Sequence, residues 1–347
     1  MRCHRLFVCY GLLLLWAAPL RAQSGIELPK PDTGALGIHF KLMQSIPYEG
    51  LPTIGLVPQI SLDEKTVVVP TRKNKGDKTV LDFAVYNLLS GNPVGSLGIV
   101  PEFRVLCMSS DLSLAVASSS NALRKYQSLT FYRLGTGGLL RAAISTKEVV
   151  AGFPSDSPMF SRDGSYLALI DGSGRSILIW DSRRAKLLAT VATSDKIAHL
   201  SFSADSTMLA ALAEDGSVEV WAIPTGAPVR TFEAKPGQNG WTDFVPGRPA
   251  LVAMVDGTVF VWDLKTGQQL HGFRLDESDF SSLGALTPDG RILITQSAAY
   301  DLQSGAHLAD LEDDGHDISI SRDGTVLATT KVAGNGNYIV RIWRIER

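Results

Sequence analysis

Apolar and polar residues alternate in short runs along much of the chain. Ser176–Asp181 reads SILIWD, Ser217–Ala222 SVEVWA, Thr258–Asp263 TVFVWD and Tyr338–Arg344 YIVRIWR. A period of two sends successive side chains to opposite faces, so each run predicts a half-buried β-strand. In each, a Trp near the end is followed by a polar or small residue. The runs also recur. Trp180, Trp221 and Trp262 stand about 41 residues apart, Tyr300 follows after about 38, and Trp343 after about 43. Upstream, Tyr132 and Tyr86 continue the series at intervals of about 48 and 46. A period of this length marks a supersecondary unit that buries its apolar face by stacking on its neighbours.

Turn residues sit at fixed offsets from these aromatics. Ser161-Arg162-Asp163-Gly164, Thr287-Pro288-Asp289-Gly290 and Ser321-Arg322-Asp323-Gly324 precede them, with Ser203-Ala204-Asp205-Ser206 and Ser61-Leu62-Asp63-Glu64 as weaker copies. Asp and Gly at such points supply the positive-φ residues of tight hairpins. Asp215-Gly216 and Asp256-Gly257 mark a second hairpin, and Ser90-Gly91, Thr136-Gly137, Thr225-Gly226, Thr266-Gly267 and Ser304-Gly305 a third. Each unit therefore predicts four antiparallel strands, and seven aromatics give seven units. An eighth aromatic, which an eight-bladed ring would require, is not found. The last unit runs out after its third strand, while Gly37–Gln44 (GIHFKLMQ) is a strand with no unit of its own. Supplying that strand to the last unit closes the ring and removes its open sheet edges. The expected fold is all-β: a seven-bladed β-propeller of four-stranded antiparallel blades, closed by the N-terminal strand.

The Trp-Asp ending and the period together resemble the WD-repeat β-propeller family, and more loosely the bacterial propellers of the quinoprotein-dehydrogenase-like group. The resemblance covers about Leu36 to Arg347. It is strong over Ser161–Arg347 and degenerate over Leu36–Gly152. The usual Gly-His pair that opens each repeat is absent, and His199 (IAHLSFS) sits inside a strand instead. Two units in the N-terminal half use Tyr for Trp, and the sixth is shortened to Gln296–Tyr300. These departures bear on the family's buried His-to-Trp hydrogen-bond chain.

The N-terminus follows a different pattern. Met1–Arg5 (MRCHR) is basic, Leu6–Leu20 is an apolar run too short to span a bilayer comfortably, and Leu20-Arg21-Ala22 precedes Gln23. This predicts a secretory signal peptide over residues 1–22, with an uncleaved anchor as the alternative. Residues 23–35 read as a Pro- and Gly-rich linker, and residues 36–347 as the propeller. The expected location is extracytoplasmic, secreted or periplasmic. Loss of the signal leaves Cys107 as the single cysteine, in an apolar stretch (RVLCM) that predicts a buried small hydrophobe. It also removes Arg2, Arg5 and Arg21, taking the basic count from 33 to 30 against 35 acids, a net charge of about −5. That balance gives no general attraction to nucleic acid. No later stretch is long and apolar enough for a transmembrane helix.

Candidate chemistry is sparse. The repeated aromatics end inward-facing runs and are expected between blades rather than against a ligand. Asp163, Asp289 and Asp323 are expected to form turns, one per blade, too far apart for paired acid–base work. His39, His199, His271, His307 and His316 show no metal-ligand spacing, and neither a nucleophile elbow nor a phosphate loop is present. No cofactor is expected. Charge placement is more informative. The resemblance implies that loops joining strands two and three of each blade share one rim with the loops between blades. Thr71–Lys78 (TRKNKGDK) then places Arg72, Lys73, Lys75 and Lys78 on that rim in blade 1. Ser118–Ser128 adds Arg124 and Lys125 in blade 2, and blade 3 adds Arg175. Asp276, Glu277 and Asp279 join blades 5 and 6; Glu312, Asp313, Asp314 and Asp317 join blades 6 and 7. The expectation is a rim basic over blades 1–3 and acidic over blades 5–7, which would orient a charged protein partner. The function expected is a non-enzymatic interaction scaffold built on a monomeric propeller. The alternative is an exported propeller enzyme, lactonase or quinoprotein-dehydrogenase-like, with its site at the channel mouth.

Overall fold

The computed structural model describes residues 37–48, 58–61, 63–75, 78–101, 104–120, 126–134, 141–145, 150–151, 159–237, 240–276, 283–311, 317–333 and 337–347. Within them the chain forms seven antiparallel sheets and no α-helix. Blades 3 to 6 have four strands each, in sequence order. Blade 4, for example, consists of Ile197–Phe202, Met208–Ala213, Ser217–Ala222 and Ala227–Glu233. Blade 2 departs by one feature: its outer strand is split into Arg141–Ser145 and Val150–Ala151, which both pair with Tyr126–Arg133.

The ring closes as the two loose strands require. His39–Tyr48 pairs antiparallel with the last strand, Asn337–Glu346, from His39 opposite Glu346 to Tyr48 opposite Tyr338. The closing strand runs four residues past the expected Gln44, because its partner hairpin is itself long: Val326–Ala333 pairs with Asn337–Arg344 over eight positions.

Each signature aromatic packs against the preceding blade. Trp180 of blade 3 shares a core cluster with Phe131 and Val116 of blade 2. Trp221 meets Ile170 and Ile179 of blade 3, and Trp262 meets Val220 and Phe232 of blade 4. Tyr300, Trp343 and Tyr132 repeat the arrangement against blades 5, 6 and 1, and Tyr86 borders the blade 7 cluster of Val326 and Val340. All but Tyr86 are at least nine-tenths buried. Burying a Trp removes roughly 200 Å² from water, a gross gain of about 5 kcal/mol at each seam. Cys107 is buried, and burial pushes its thiol well above the ordinary range.

The first turn of each blade is held by a repeated polar knot. In six blades a Ser or Thr hydroxyl donates to an Asp two residues on at 2.6–2.7 Å: Ser61 to Asp63, Ser109 to Asp111, Ser161 to Asp163, Ser203 to Asp205, Thr287 to Asp289 and Ser321 to Asp323. The same hydroxyl accepts the N–H five residues on, at 2.9–3.1 Å, across the start of the hairpin. The Asp in turn accepts the N–H two residues beyond itself. Burial pushes the Asp163 and Asp323 carboxyls up, but the hydroxyl and amide donors outweigh it and hold both at about 2. The Asp residues are thus turn formers, as their spacing indicates. Blade 5 lacks the knot: Val245-Pro246-Gly247-Arg248 makes its turn from backbone alone. In four blades the residue after the aromatic is Asn87, Asp181, Asp263 or Asp301, whose side chain caps two following amides. The hairpin there closes on a left-handed residue, such as Gly267 at φ 79°.

Two loop expectations are corrected. The ends of Ser118–Ser128 belong to strands, with Ser118 opposite Leu129, Ser119 opposite Ser128 and Ser120 opposite Gln127. Thr71–Lys78 is not a loop: Thr66–Lys75 and Lys78–Asn87 pair over ten positions, ending at Lys75 opposite Lys78. The β-branched run Val67-Val68-Val69 on one arm and Thr79-Val80 on the other sustains the pairing. Arg72, Lys73, Lys75 and Lys78 therefore sit on the arms of a hairpin. It is four pairs longer than the six-residue hairpin of blade 5, an extension of ~13 Å.

Candidate functional site

The rim and the central channel are the two surfaces on which a partner or ligand could converge. On the rim, Arg72, Lys73, Lys75 and Lys78 occupy the extended hairpin of blade 1. Arg124, Lys125, Glu277, Asp279, Glu312, Asp313 and Asp314 lie outside the described residues. Arg175 is already engaged, donating to Ser194 O at 3.1 Å and pairing with Asp195 in the connection to blade 4. It braces that connection, at little energetic gain for a half-exposed pair. Asp276 is exposed, and its backbone N–H donates to the Tyr300 hydroxyl at 3.4 Å. Asp317 accepts the Thr330 hydroxyl at 2.6 Å and lines the channel.

The channel wall is the set of inner strands, and its levels follow from the turn knots. Counting from the first turn residue of each blade (Ser61, Ser109, Ser161, Ser203, Val245, Thr287, Ser321), the position two before it faces the channel as Gln59, Met159, Ser201, Asp243, Ala285 and Ser319. Four before it stand His199, Trp241, Leu283 and Asp317. One after it, at the mouth, stand Ser110, Arg162, Ala204, Pro246, Pro288 and Arg322. Two cavities, of about 390 Å³ and about 300 Å³, share Arg162, Phe202, Asp243 and Leu286 and are continuous. A smaller cleft of about 70 Å³ lies away from the channel, between blades 5 and 6 beside Arg248 and His271.

The polar groups of the wall gather on blades 4 and 5. Asp243 accepts the N–H of Phe244 at 2.8 Å. Burial nevertheless pushes its carboxyl up to about 7, against the pull of that amide and of Arg162. Burial holds His199 down at about 4, against the Thr242 N–H that reaches Nδ1 at 3.4 Å. Since Nδ1 accepts, the neutral ring carries its proton on Nε2. The His199 ring lies 6.4 Å from that of Trp241. Between them and the mouth lies Ser201, 3% exposed, whose hydroxyl has no hydrogen-bond partner. The sequence reading passed over Asp243 and Ser201 and noted His199 merely as displaced. The Ser203-Ala204-Asp205 turn could have found His199 and Ser201, which lie four and two residues before it on a strand of period two, whereas Asp243 precedes Val245-Pro246-Gly247-Arg248, which lacks the motif. Among the described residues no group of three or more His, Cys, Asp or Glu side chains could hold a metal ion.

Trp343 Nε1 donates to the Thr329 hydroxyl at 3.0 Å within blade 7, whereas the Trp180 indole N–H has no partner.

The geometry defines a class: a seven-bladed, ring-closed propeller with a Trp or Tyr at each blade seam, six of them buried, and an Asp- or Asn-capped turn after four of them. No family model matches the chain. It is similar over 179 residues, at 26% identity, to the angio-associated migratory cell protein of Homo sapiens, the match covering 48% of this chain and 40% of that one. A second similarity, 28% identity over 130 residues, is to human WD repeat-containing protein 36, covering 37% of this chain and 14% of that one. The matches thus span less than half the length of either relative. Together with the seven-bladed architecture, these weak similarities support a WD-repeat type of β-propeller.

Proposed function

We propose that this chain is an exported, non-enzymatic scaffold that docks a protein partner on its rim through the basic hairpin of blade 1. The observation that carries the reading is the ten-pair hairpin Thr66–Lys75/Lys78–Asn87. Continuous pairing presents Arg72, Lys73, Lys75 and Lys78 on a scaffold with little conformational entropy left to lose. A net-basic segment of this kind, four cations against Asp77, raises the association rate with an acidic partner. The WD-type architecture supports the scaffold role, and the basic, then apolar, N-terminus supports export.

The test uses the full chain expressed with a C-terminal tag. Fractionation and N-terminal sequencing of the product examine export, which predicts a mature start at Gln23. The purified protein is then immobilised beside a variant carrying Lys73→Glu, Lys75→Glu, Arg124→Glu and Lys125→Glu, and both are exposed to the matching extracytoplasmic fraction at low and high salt. A defined protein held by the unaltered chain, released by salt and missed by the variant is the expected result. Equal capture by both chains, or capture by neither, refutes rim docking through these residues.

A further inference from the structure

We propose that the channel wall formed by blades 4 and 5 is a binding site for a small organic cation carrying an ammonium group. Two independent observations point there. The first is the Ser201 hydroxyl, 3% exposed and without a hydrogen-bond partner, on the wall of a cavity of about 390 Å³. Buried hydroxyls are ordinarily paired, and a group left unpaired beside an empty space calls for a partner that enters it. The second is Asp243, on the next blade at the same level, a half-buried carboxyl that lines the same cavity.

The chemistry of the surrounding groups selects a cation over an anion. His199 is neutral and brings no charge to the wall. Arg162 and Arg322 are exposed at the mouth, and Asp317 adds a second carboxylate at the far end of the inner strands. An anion reaching Ser201 would lie beside Asp243. An ammonium group placed there donates to the Asp243 carboxylate and to Ser201 Oγ at once. Its alkyl portion meets Trp241 and Phe202, aromatic surfaces that also attract a cation.

The site is tested by calorimetric titration of the full chain with n-butylammonium, 1,4-diaminobutane and, as an anion of similar size, glutarate, at pH 6, 7 and 8. The charged groups around Asp243 are Arg162, Arg322, His199 and Asp317. Across this range His199 stays neutral and the amines stay charged. Binding must displace a proton from Asp243 wherever that proton is held, so affinity for both amines is expected to rise about tenfold from pH 6 to pH 8. Asp243→Asn should weaken binding at pH 8 at least tenfold and abolish the pH dependence, and Ser201→Ala should weaken it several-fold. The pH profile of the unaltered chain decides the matter even if a variant folds poorly. Glutarate binding more tightly than the amines, no binding of either amine at millimolar concentration, or unchanged affinity in Asp243→Asn would overturn the proposal.

Discussion

Asp243→Asn should make the protein more stable, and by an amount that depends on pH. In the unfolded chain this carboxyl ionises near 3.8, whereas in the channel it keeps its proton to about 7. A raised carboxyl costs the folded state progressively as pH climbs from about 4 to 7, because the unfolded state ionises first. The full difference corresponds to about 4 kcal/mol above pH 7. Asn has the same shape and no charge to desolvate, so the variant should gain up to about 4 kcal/mol at pH 8 and about 0.5 kcal/mol at pH 4. His199 acts in the opposite sense. Its value falls from 6.5 to about 4, so its neutral form is favoured, and stability is lost as pH drops from 6.5 towards 4, by about 3 kcal/mol. In the unaltered protein the two slopes oppose each other between about pH 4 and pH 7. Removing Asp243 unmasks the histidine slope. Urea unfolding followed by tryptophan fluorescence at pH 4, 5, 6, 7 and 8 measures both curves. A variant less stable at pH 8, or a gain of the same size at every pH, would refute the reasoning.

Asp323→Ala takes the acceptor from Ser321 and Thr325 and should cost about 1–2 kcal/mol, read as a lower urea midpoint. The Asp323 carboxyl is held low, so its contribution is complete above about pH 4 and is lost as pH falls towards 2; the variant's acid-unfolding curve, followed by circular dichroism, should be shallower. Thr329→Val keeps the side chain's shape but strands the Trp343 indole N–H, at a cost of about 1–3 kcal/mol by the same unfolding assay. Cys107 should resist thiol reagents in the native protein and react at once in denaturant, as measured by absorbance of the released thiolate.

The architecture was legible because its signals are redundant. Seven aromatics recur at nearly even spacing, and each is flanked by two turn signals whose side chains do the capping that the residue types suggest. Strand ends were less legible. Thr71–Lys78 carries Lys, Asn, Gly and Asp, a loop-like composition, yet backbone pairing with Thr79-Val80-Leu81 extends it as a hairpin. Propensity is weak where an existing ladder can add one more pair. The channel was the least legible part. In GWTDF a period-two reading puts Trp241 and Asp243 on one face, but the pattern does not say whether that face meets solvent or a channel. Only ring closure, formed by residues some 300 positions apart in sequence, encloses it.

The repeat also explains why the polar channel groups should be functional rather than structural. At the turn, the fold imposes chemistry: a hydroxyl and a carboxylate stand there in six blades, and each makes the same hydrogen bonds. At the seam it imposes a large aromatic. Two residues before the turn it imposes nothing, for Gln59, Cys107, Met159, Ser201, Asp243, Ala285 and Ser319 occupy equivalent positions. The Ser201 hydroxyl makes no hydrogen bond to its blade, and the Asp243 carboxylate accepts the amide of the residue next to it. A half-buried carboxyl whose ionised form is disfavoured by desolvation lowers stability at neutral pH, and a buried hydroxyl without a partner lowers it further. Both fall on adjacent blades, at one level, against one cavity. Costs the fold does not require, concentrated at one place, are what a binding site adds to a scaffold.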